Sequence, residues 1–373
     1  MANEWIGVIH TTAPKYLSGA ADNTIRKRLI LSLLKNKGRI RFGENSYECN
    51  WDVEFKEQPV EAYGDGGTLN FSRHDLYRQL NVDWRGYKAT DLMTEKERLM
   101  NDGALAIVRR YDKIMPKLMR SLNNKFCKEL FIDGYAAGNE NRLHGVESFM
   151  GAGTCAAGDR VAEPSDTYAG LSTAVGNQGG TWSTELAAAV RPNATVATDW
   201  PDGNGDPEYD FLSPKLVNYS ANDGDDPWGS NSTKWEDNCE RALRQTIIWL
   251  SHGAGEEGRP DLFLLAGDLF YGYANKQSSK QRIVIPHKGA QDLGFQDVLN
   301  QEGVMIQSDF DVPAGTGYGL NIDQLELASL DSVLFASRGP EYDIKTDSWL
   351  FMVGFFGNAR YNPKFFAKLN AYA

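Results

Sequence analysis

From Tyr47 to Lys56 the chain alternates without a break: Tyr47, Cys49, Trp51, Val53 and Phe55 are apolar, while Glu48, Asn50, Asp52, Glu54 and Lys56 between them are polar. A period of two belongs to a strand with one face covered and the other in water. Turn chemistry follows from Tyr63 to Gly67, and Leu80, Val82 and Trp84 then alternate against Asn81, Asp83 and Arg85. The two runs predict a long two-stranded ribbon. Such a ribbon is marginal in water by itself, so its apolar face needs cover. The expectation from sequence is that neighbouring copies supply it.

The segments around the ribbon divide by charge. Thr24 to Gly43 carries Arg26, Lys27, Arg28, Lys35, Lys37, Arg39 and Arg41 with no acid, wrapped around Leu29, Ile30, Leu31, Leu33 and Leu34. This is a basic amphipathic arm. The ribbon region inverts the sign, since Glu44, Glu48, Asp52, Glu54, Glu57 and Glu61 are offset only by Lys56. Arm-to-ribbon pairing is therefore expected. Exposed ion pairs are worth about 0 to 1 kcal/mol each, so they set register and order of assembly more than strength.

Beyond the ribbon the period changes. Thr94 and Glu97 have capping-box spacing, and Tyr111, Met115, Leu118, Leu122, Phe126 and Leu130 recur at steps of three and four. They predict a helix from near Thr94 to about Phe131, with a bend upstream of Pro116, whose ring and missing N–H disrupt the helical ladder. Residues 136–229 are dense in Gly, Asn, Asp, Ser and Pro and read as short strands and surface loops. Thr233 and Glu236 then open a helix through Leu250. Strands are expected at Leu262 to Ala266, Ile283 to Ile285, Val304 to Ile306, Tyr318 to Ile322 and Leu325 to Leu327, and an aromatic-rich run from Trp349 to Phe356 ends at Gly357 and Asn358. The mixture is α+β.

Several chemistries are disfavoured. A net charge of −11 is the wrong sign for affinity built on neutralising phosphates. Cys49, Cys127, Cys155 and Cys239 are scattered, with no CxxC pair and no His at ligand spacing, so they read as reduced, buried thiols. The five His are isolated. Gly151, Gly153 and Ala156 fit a dinucleotide-loop spacing, but no amphipathic helix follows. Asp202, Asn204 and Asp206 begin like a calcium loop, yet Pro207 and Ser213 occupy the positions that need Gly and Glu. Asp268 reads as a helix N-cap. The N-terminus has no secretory pattern, and no apolar run approaches the length of a membrane span. Neither a catalytic centre nor a cofactor or metal site is expected, and cytosolic production is.

The order of parts, with "LFIDGYAAGNENRLHGVESF" (Leu130 to Phe149), "PDLFLLAGDLFYGY" (Pro260 to Tyr273), "GFQDV", "IQSDFDVP", "YGLNIDQLEL" and "GNARYNPKFFAKL", resembles the major capsid proteins of tailed bacteriophages of the Hong Kong 97 type. Encapsulin nanocompartments share that fold and stand as the alternative. The resemblance implies an N-terminal arm (1–37), an extended β-hairpin loop (38–93), a peripheral domain with a long spine helix (94–185 and 331–373) and an axial domain (186–330). It implies hexamers and pentamers in an icosahedral head around double-stranded DNA that is contacted non-specifically, in a virion assembled in the host cytoplasm. A separate scaffolding protein, a portal and decoration proteins are the implied partners. Contacts between copies are expected at Arg26, Lys27, Arg28, Lys35, Lys37, Arg39, Arg41, Glu48, Trp51, Asp52, Glu54, Phe55 and Glu57, and the spine bend at Pro116. Removing residues 1–37 is expected to abolish assembly yet leave a folded subunit.

Overall fold

The computed structural model describes residues 29–44, 46–62, 64, 71–101, 110–153, 155–180, 200–201, 207–222, 224, 227–252, 255–278 and 299–372. In chain order the strands are β1 (Ile40–Phe42), β2 (Cys49–Glu54), β3 (Tyr77–Val82), β4 (Arg85–Thr94), β5 (Val161–Ala162), β6 (Thr167–Tyr168), β7 (Leu171–Ser172), β8 (Lys215–Asn218), β9 (Leu262–Leu265), β10 (Leu299–Gln301), β11 (Val304–Ser308), β12 (Gly317–Leu320), β13 (Leu325–Ser329), β14 (Ala336–Asp343), β15 (Ser348–Tyr361) and β16 (Ala367–Asn370). The principal helices are α1 (Leu29–Asn36), α2 (Glu95–Met100), α3 (Arg110–Glu129), α4 (Trp235–His252) and α5 (Gly267–Ser278).

Two sheets carry the chain. In the first, β15 is central: β4 pairs antiparallel along one side from Ser348 to Gly357, while β14 and then β13 pair along the other, and β1 adds parallel to β13. The second sheet has the order β10-β11-β9-β12-β16-β8-β5. Its strand β9, Leu-Phe-Leu-Leu, is buried throughout. Leu262 and Leu264 join the large core that includes α3, whereas Phe263 and Leu265 join a second core with α4 residues such as Cys239, Leu243 and Ile247. A short continuous apolar run is what a strand covered on both faces requires.

The helix stripe is laid down as its period predicts. Leu118, Leu122, Phe126 and Leu130 are buried against the first sheet, with the Phe126 and Phe355 rings 4.9 Å apart and Tyr111 edge-on to Phe351 at 5.4 Å. The continuous helix from Thr94 is not what forms. The capping box is present, with both backbone-to-side-chain bonds at 3.3 Å, but α2 closes at Asn101, where Asn-Asp-Gly is turn sequence. Residues 102–109 lie outside the described residues, and the striped helix is α3.

The C-terminal strand also departs from expectation. Gly357 and Asn358 do not end β15, which continues to Tyr361. A Cβ on Gly357 would lie 2.1 Å from the Ala328 carbonyl oxygen, so glycine here permits close strand pairing instead of a turn. The Asn358 side chain is fully buried and cross-links the interior: its Nδ2 donates to the Asp83 carbonyl at 2.7 Å and its Oδ1 accepts from the His144 N–H at 3.1 Å. Asp268 is likewise no N-cap, since α5 starts at Gly267 and the carboxylate accepts from the Gly315 N–H at 3.0 Å. Gly151, Gly153 and Ala156 lie outside helices and strands, and the expected strand at 283–285 lies outside the described residues.

The motif Leu143-His144-Gly145-Val146 closes the C-terminal end of α3. The Gly145 N–H donates to Ile132 O at 3.0 Å and the Val146 N–H to Leu130 O at 2.8 Å, and Leu143 and Val146 are fully buried. A Cβ on Gly145 would meet three backbone atoms of Glu129 and Ile132 at 2.5 to 2.7 Å. Backbone cannot move aside as a flexible side chain can. Gly145→Ala is therefore expected to lower stability by more than about 3 kcal/mol or to prevent folding, as urea denaturation followed by circular dichroism would show.

Candidate assembly surfaces

The ribbon forms as the alternation predicts: β2 and β3 pair antiparallel from Cys49↔Val82 to Glu54↔Tyr77. Its cover is a correction to the expectation. Cys49, Val53, Phe55, Leu80 and Val82 are buried in the subunit's own large core. Trp51, half-buried, has its ring 6.1 Å from that of Tyr168, and Phe55 packs on Phe211 at 5.8 Å beneath the Arg78 guanidinium at 4.4 Å. Period two fixes which face is apolar but says nothing about which body covers it. Each buried apolar side chain contributes about 1.5 to 3 kcal/mol, far more than the Lys56–Glu208 ion pair at 3.3 Å beside it. Burial holds the ribbon down.

The charged residues are also distributed differently from the expectation. Lys37 lies 2.9 Å from Asp261 and 2.8 Å from Asp323, Arg39 reaches Asp323 at 3.4 Å, and Arg41 pairs with Glu326. Within the subunit these basic residues meet acids of the body, not of the ribbon. Lys35 is exposed at the end of α1, and Arg26, Lys27 and Arg28 lie outside the described residues. On the ribbon, Glu48 accepts from Asn81 Nδ2 at 2.9 Å, whereas Asp52, Glu54 and Glu57 are exposed. Pro116 sits inside α3. The truncation expectation needs correction too: Ile30 and Leu34 are fully buried in the large core, so removing 1–37 strips core side chains as well as an arm.

Two anchors were invisible in sequence because they join distant segments. Arg360 on β15 donates from Nε to the Cys49 sulfur at 3.0 Å and reaches Glu44 at 3.2 Å and Glu326 at 3.4 Å, tying the ribbon root to the first sheet. Burial pushes the Cys49 thiol up in spite of that guanidinium. Glu129, fully buried, accepts two bonds from Arg142 at 2.7 and 2.6 Å, one from Tyr87 at 3.1 Å, and pairs with Lys125 at 2.7 Å. This set locks the end of α3 to β4.

Apolar surface that the subunit leaves open lies elsewhere. On the face of the first sheet away from α3, Leu92 and its cross-strand partner Leu350 are exposed, and so is Phe356, with Lys88 Nζ 5.5 Å from its ring. Past the ribbon's buried part, Val60 and Phe71 are 94% and 90% exposed. The Trp349 to Phe356 run carried a signal for the first patch, because alternate residues of one strand must point away from the helix. Among the described residues no group of three or more His, Cys, Asp or Glu side chains could hold a metal, and no helix is long and apolar enough to cross a membrane.

No protein-family model and no curated protein matches this sequence. Solved structures do. The capsid asymmetric unit of Cyanophage A-1(L) aligns over 96% of this chain and 96% of that chain, at 13% identity and a TM-score of 0.57. This chain has the fold of a tailed-phage capsid subunit. The capsid of the native GTA particle shares the fold over 100% of both chains at 12% identity and a TM-score of 0.51. The capsid of Myoviridae Phage XM1 shares it over 95% of this chain and 96% of that chain, at 9% identity and a TM-score of 0.51. The α+β class read from the sequence is that of this capsid fold.

The two kinds of apolar surface separate by experiment. Leu80→Ala, inside the ribbon's buried face, is expected to cost the isolated subunit about 2 to 5 kcal/mol. Val60→Ser and Phe71→Ser are expected to leave subunit stability within about 0.5 kcal/mol. Chemical denaturation of the three purified variants checks both.

Proposed function

We propose that this chain is the major capsid protein of a tailed bacteriophage, a structural subunit that assembles into hexamers and pentamers of an icosahedral head around double-stranded DNA. The observation that carries the reading is the capsid-subunit fold matched from end to end. The acidic balance supports it, because a lining that binds DNA weakly lets the genome pack and leave. In this reading the open face around Leu92, Leu350 and Phe356 and the exposed Val60 and Phe71 are buried between copies. Lys35, Glu48, Asp52, Glu54 and Glu57, with Arg26, Lys27 and Arg28, supply the charged rim that fixes register. Residues preceding α1 act as the arm, the ribbon as the extended loop, the first sheet with α3 as the peripheral domain, and the second sheet with α4 and α5 as the axial domain; this revises the boundaries expected from sequence, because β5 and β16 join the second sheet and β13 the first. A scaffolding protein, a portal and decoration proteins complete the particle, which forms in the host cytoplasm.

Electron microscopy of the purified full chain, with its scaffold if one is required, tests this directly. Closed shells with five- and six-fold capsomers are expected. A protein that stays monomeric under all assembly conditions would end the reading, and shells filled with an enzyme and devoid of nucleic acid would favour a compartment. Because α1 belongs to the core, the arm is tested by deleting 1–28, which is expected to leave a subunit of unchanged melting temperature that no longer closes shells.

Pro116 supplies the second test. Within α3 it lacks an N–H for the helical ladder, and we propose that it gives the spine a bend used in shell expansion. Pro116→Ala is expected to stabilise the helix and slow expansion, measured as the change of particle diameter with time in light scattering. Expansion at the wild-type rate would remove the role.

A further inference from the structure

His144 stands where three parts of the subunit meet. It lies in the turn that closes α3, its backbone N–H donates to Asn358 of β15 at 3.1 Å, and that same Asn358 side chain holds the Asp83 carbonyl at the ribbon root at 2.7 Å. The imidazole is 1% exposed, with the Tyr135 ring 4.3 Å away and tilted by 36°. Its Nδ1 has no hydrogen-bond partner among the described residues, and neither has the buried Nε of Arg85. Elsewhere the buried polar side chains at this junction are matched: Glu129 with Arg142, and Asn358 with three backbone groups. Nothing in the fold of α3 or β15 calls for an ionisable ring here.

We infer that His144 is an acid-sensitive pin: neutral, it fastens the end of the spine to the ribbon root and to β15, and its protonation releases that junction. An imidazolium would hold a second positive charge beside Arg85 in a dry site, with an N–H at Nδ1 and no acceptor for it. The ionisable groups facing it are Arg85 and Asp83 from the ribbon side and Tyr135 from its own turn; from β15 it meets neutral Asn358. Arg85 spends part of its charge on Asp83, 3.6 Å away, so Asp83 does not cancel the repulsion. Burial, reinforced by Arg85 and opposed by Asp83, pushes the imidazole down to about 4.

The sign follows from linkage. A base with a depressed pKa in the packed state stabilises that state above its ordinary value of about 6.5, and the stabilisation is lost as pH falls from there toward 4. The Glu129 carboxyl, which burial raises but Arg142 and Lys125 hold below its ordinary value, keeps its charge through this window, so a change between pH 7.5 and 5.0 in this region reports on the imidazole. With an ordinary pKa in the loosened state, the open population at pH 5.0 rises about 30-fold.

Hydrogen exchange of the full chain at pH 7.5 and 5.0, corrected for intrinsic rates, reads this in segments 83–94 and 130–146. The wild type is expected to lose about 30-fold protection there, and His144→Gln, which cannot be protonated, to change by less than about threefold. A wild type with no local loss, or a Gln variant that keeps the full loss, overturns the inference. Should His144→Gln not fold, Arg85→Gln serves: removing the neighbouring charge is expected to shrink the acid loss severalfold, and an unchanged loss overturns the inference. The His144 proton resonance gives a direct readout, expected to titrate near pH 4; titration at about 6.5 contradicts the pin.

Discussion

The strand from Ser348 to Tyr361 is the constraint on which the subunit depends. Among the described residues it is the one strand that pairs with β4, it receives both β13 and β14, and three of its inward residues, Phe351, Val353 and Phe355, form the floor on which α3 lies. At its far end Arg360 grips the ribbon root and Asn358 holds two turns together. The first sheet is assembled around these fourteen residues. Their sequence, aromatic-rich and broken by two glycines, must therefore satisfy a face packed on a helix, a face left open and a close approach to β13 all at once.

Balancing the forces explains why the ribbon belongs to the body. Five of its apolar side chains are inside the large core, while the ion pairs along it, Lys56–Glu208 and Arg78–Asp75, are single and solvent-accessible. Exposed pairs of that kind are too weak to decide a conformation. The same logic applies to the basic stretch: α1 is held by Ile30 and Leu34, and the contacts of Lys37, Arg39 and Arg41 with Asp261, Asp323 and Glu326 fix its direction. The apolar surface left open is then a smaller set, the tip past Phe55 and the uncovered face of the first sheet.

The parts of this fold that were legible in the sequence are those whose signal is local. Alternation located β2 and β3, the 3.6-residue stripe located α3, and an unbroken apolar run located β9. Two kinds of feature were not local, and a third was local but outweighed. Glycine and asparagine at 357 and 358 look like turn residues, yet their roles, close strand approach and buried cross-linking, exist only once β13, Asp83 and His144 have been brought alongside. The cover on the ribbon comes from Tyr168 and Phe211, more than a hundred residues downstream. The break at Asn101 is written in plain turn residues, but the stripe on its far side carries the stronger signal.

One feature of the second sheet governs how such a chain can be made. The strand formed by residues 367–370 lies in the interior of that sheet, antiparallel to β12 on one side and parallel to β8 on the other. Until those residues leave the ribosome the two flanking strands have nothing between them, and the sheet stays in halves. A chain that ends before residue 367 therefore lacks the strand that joins the two halves of this sheet.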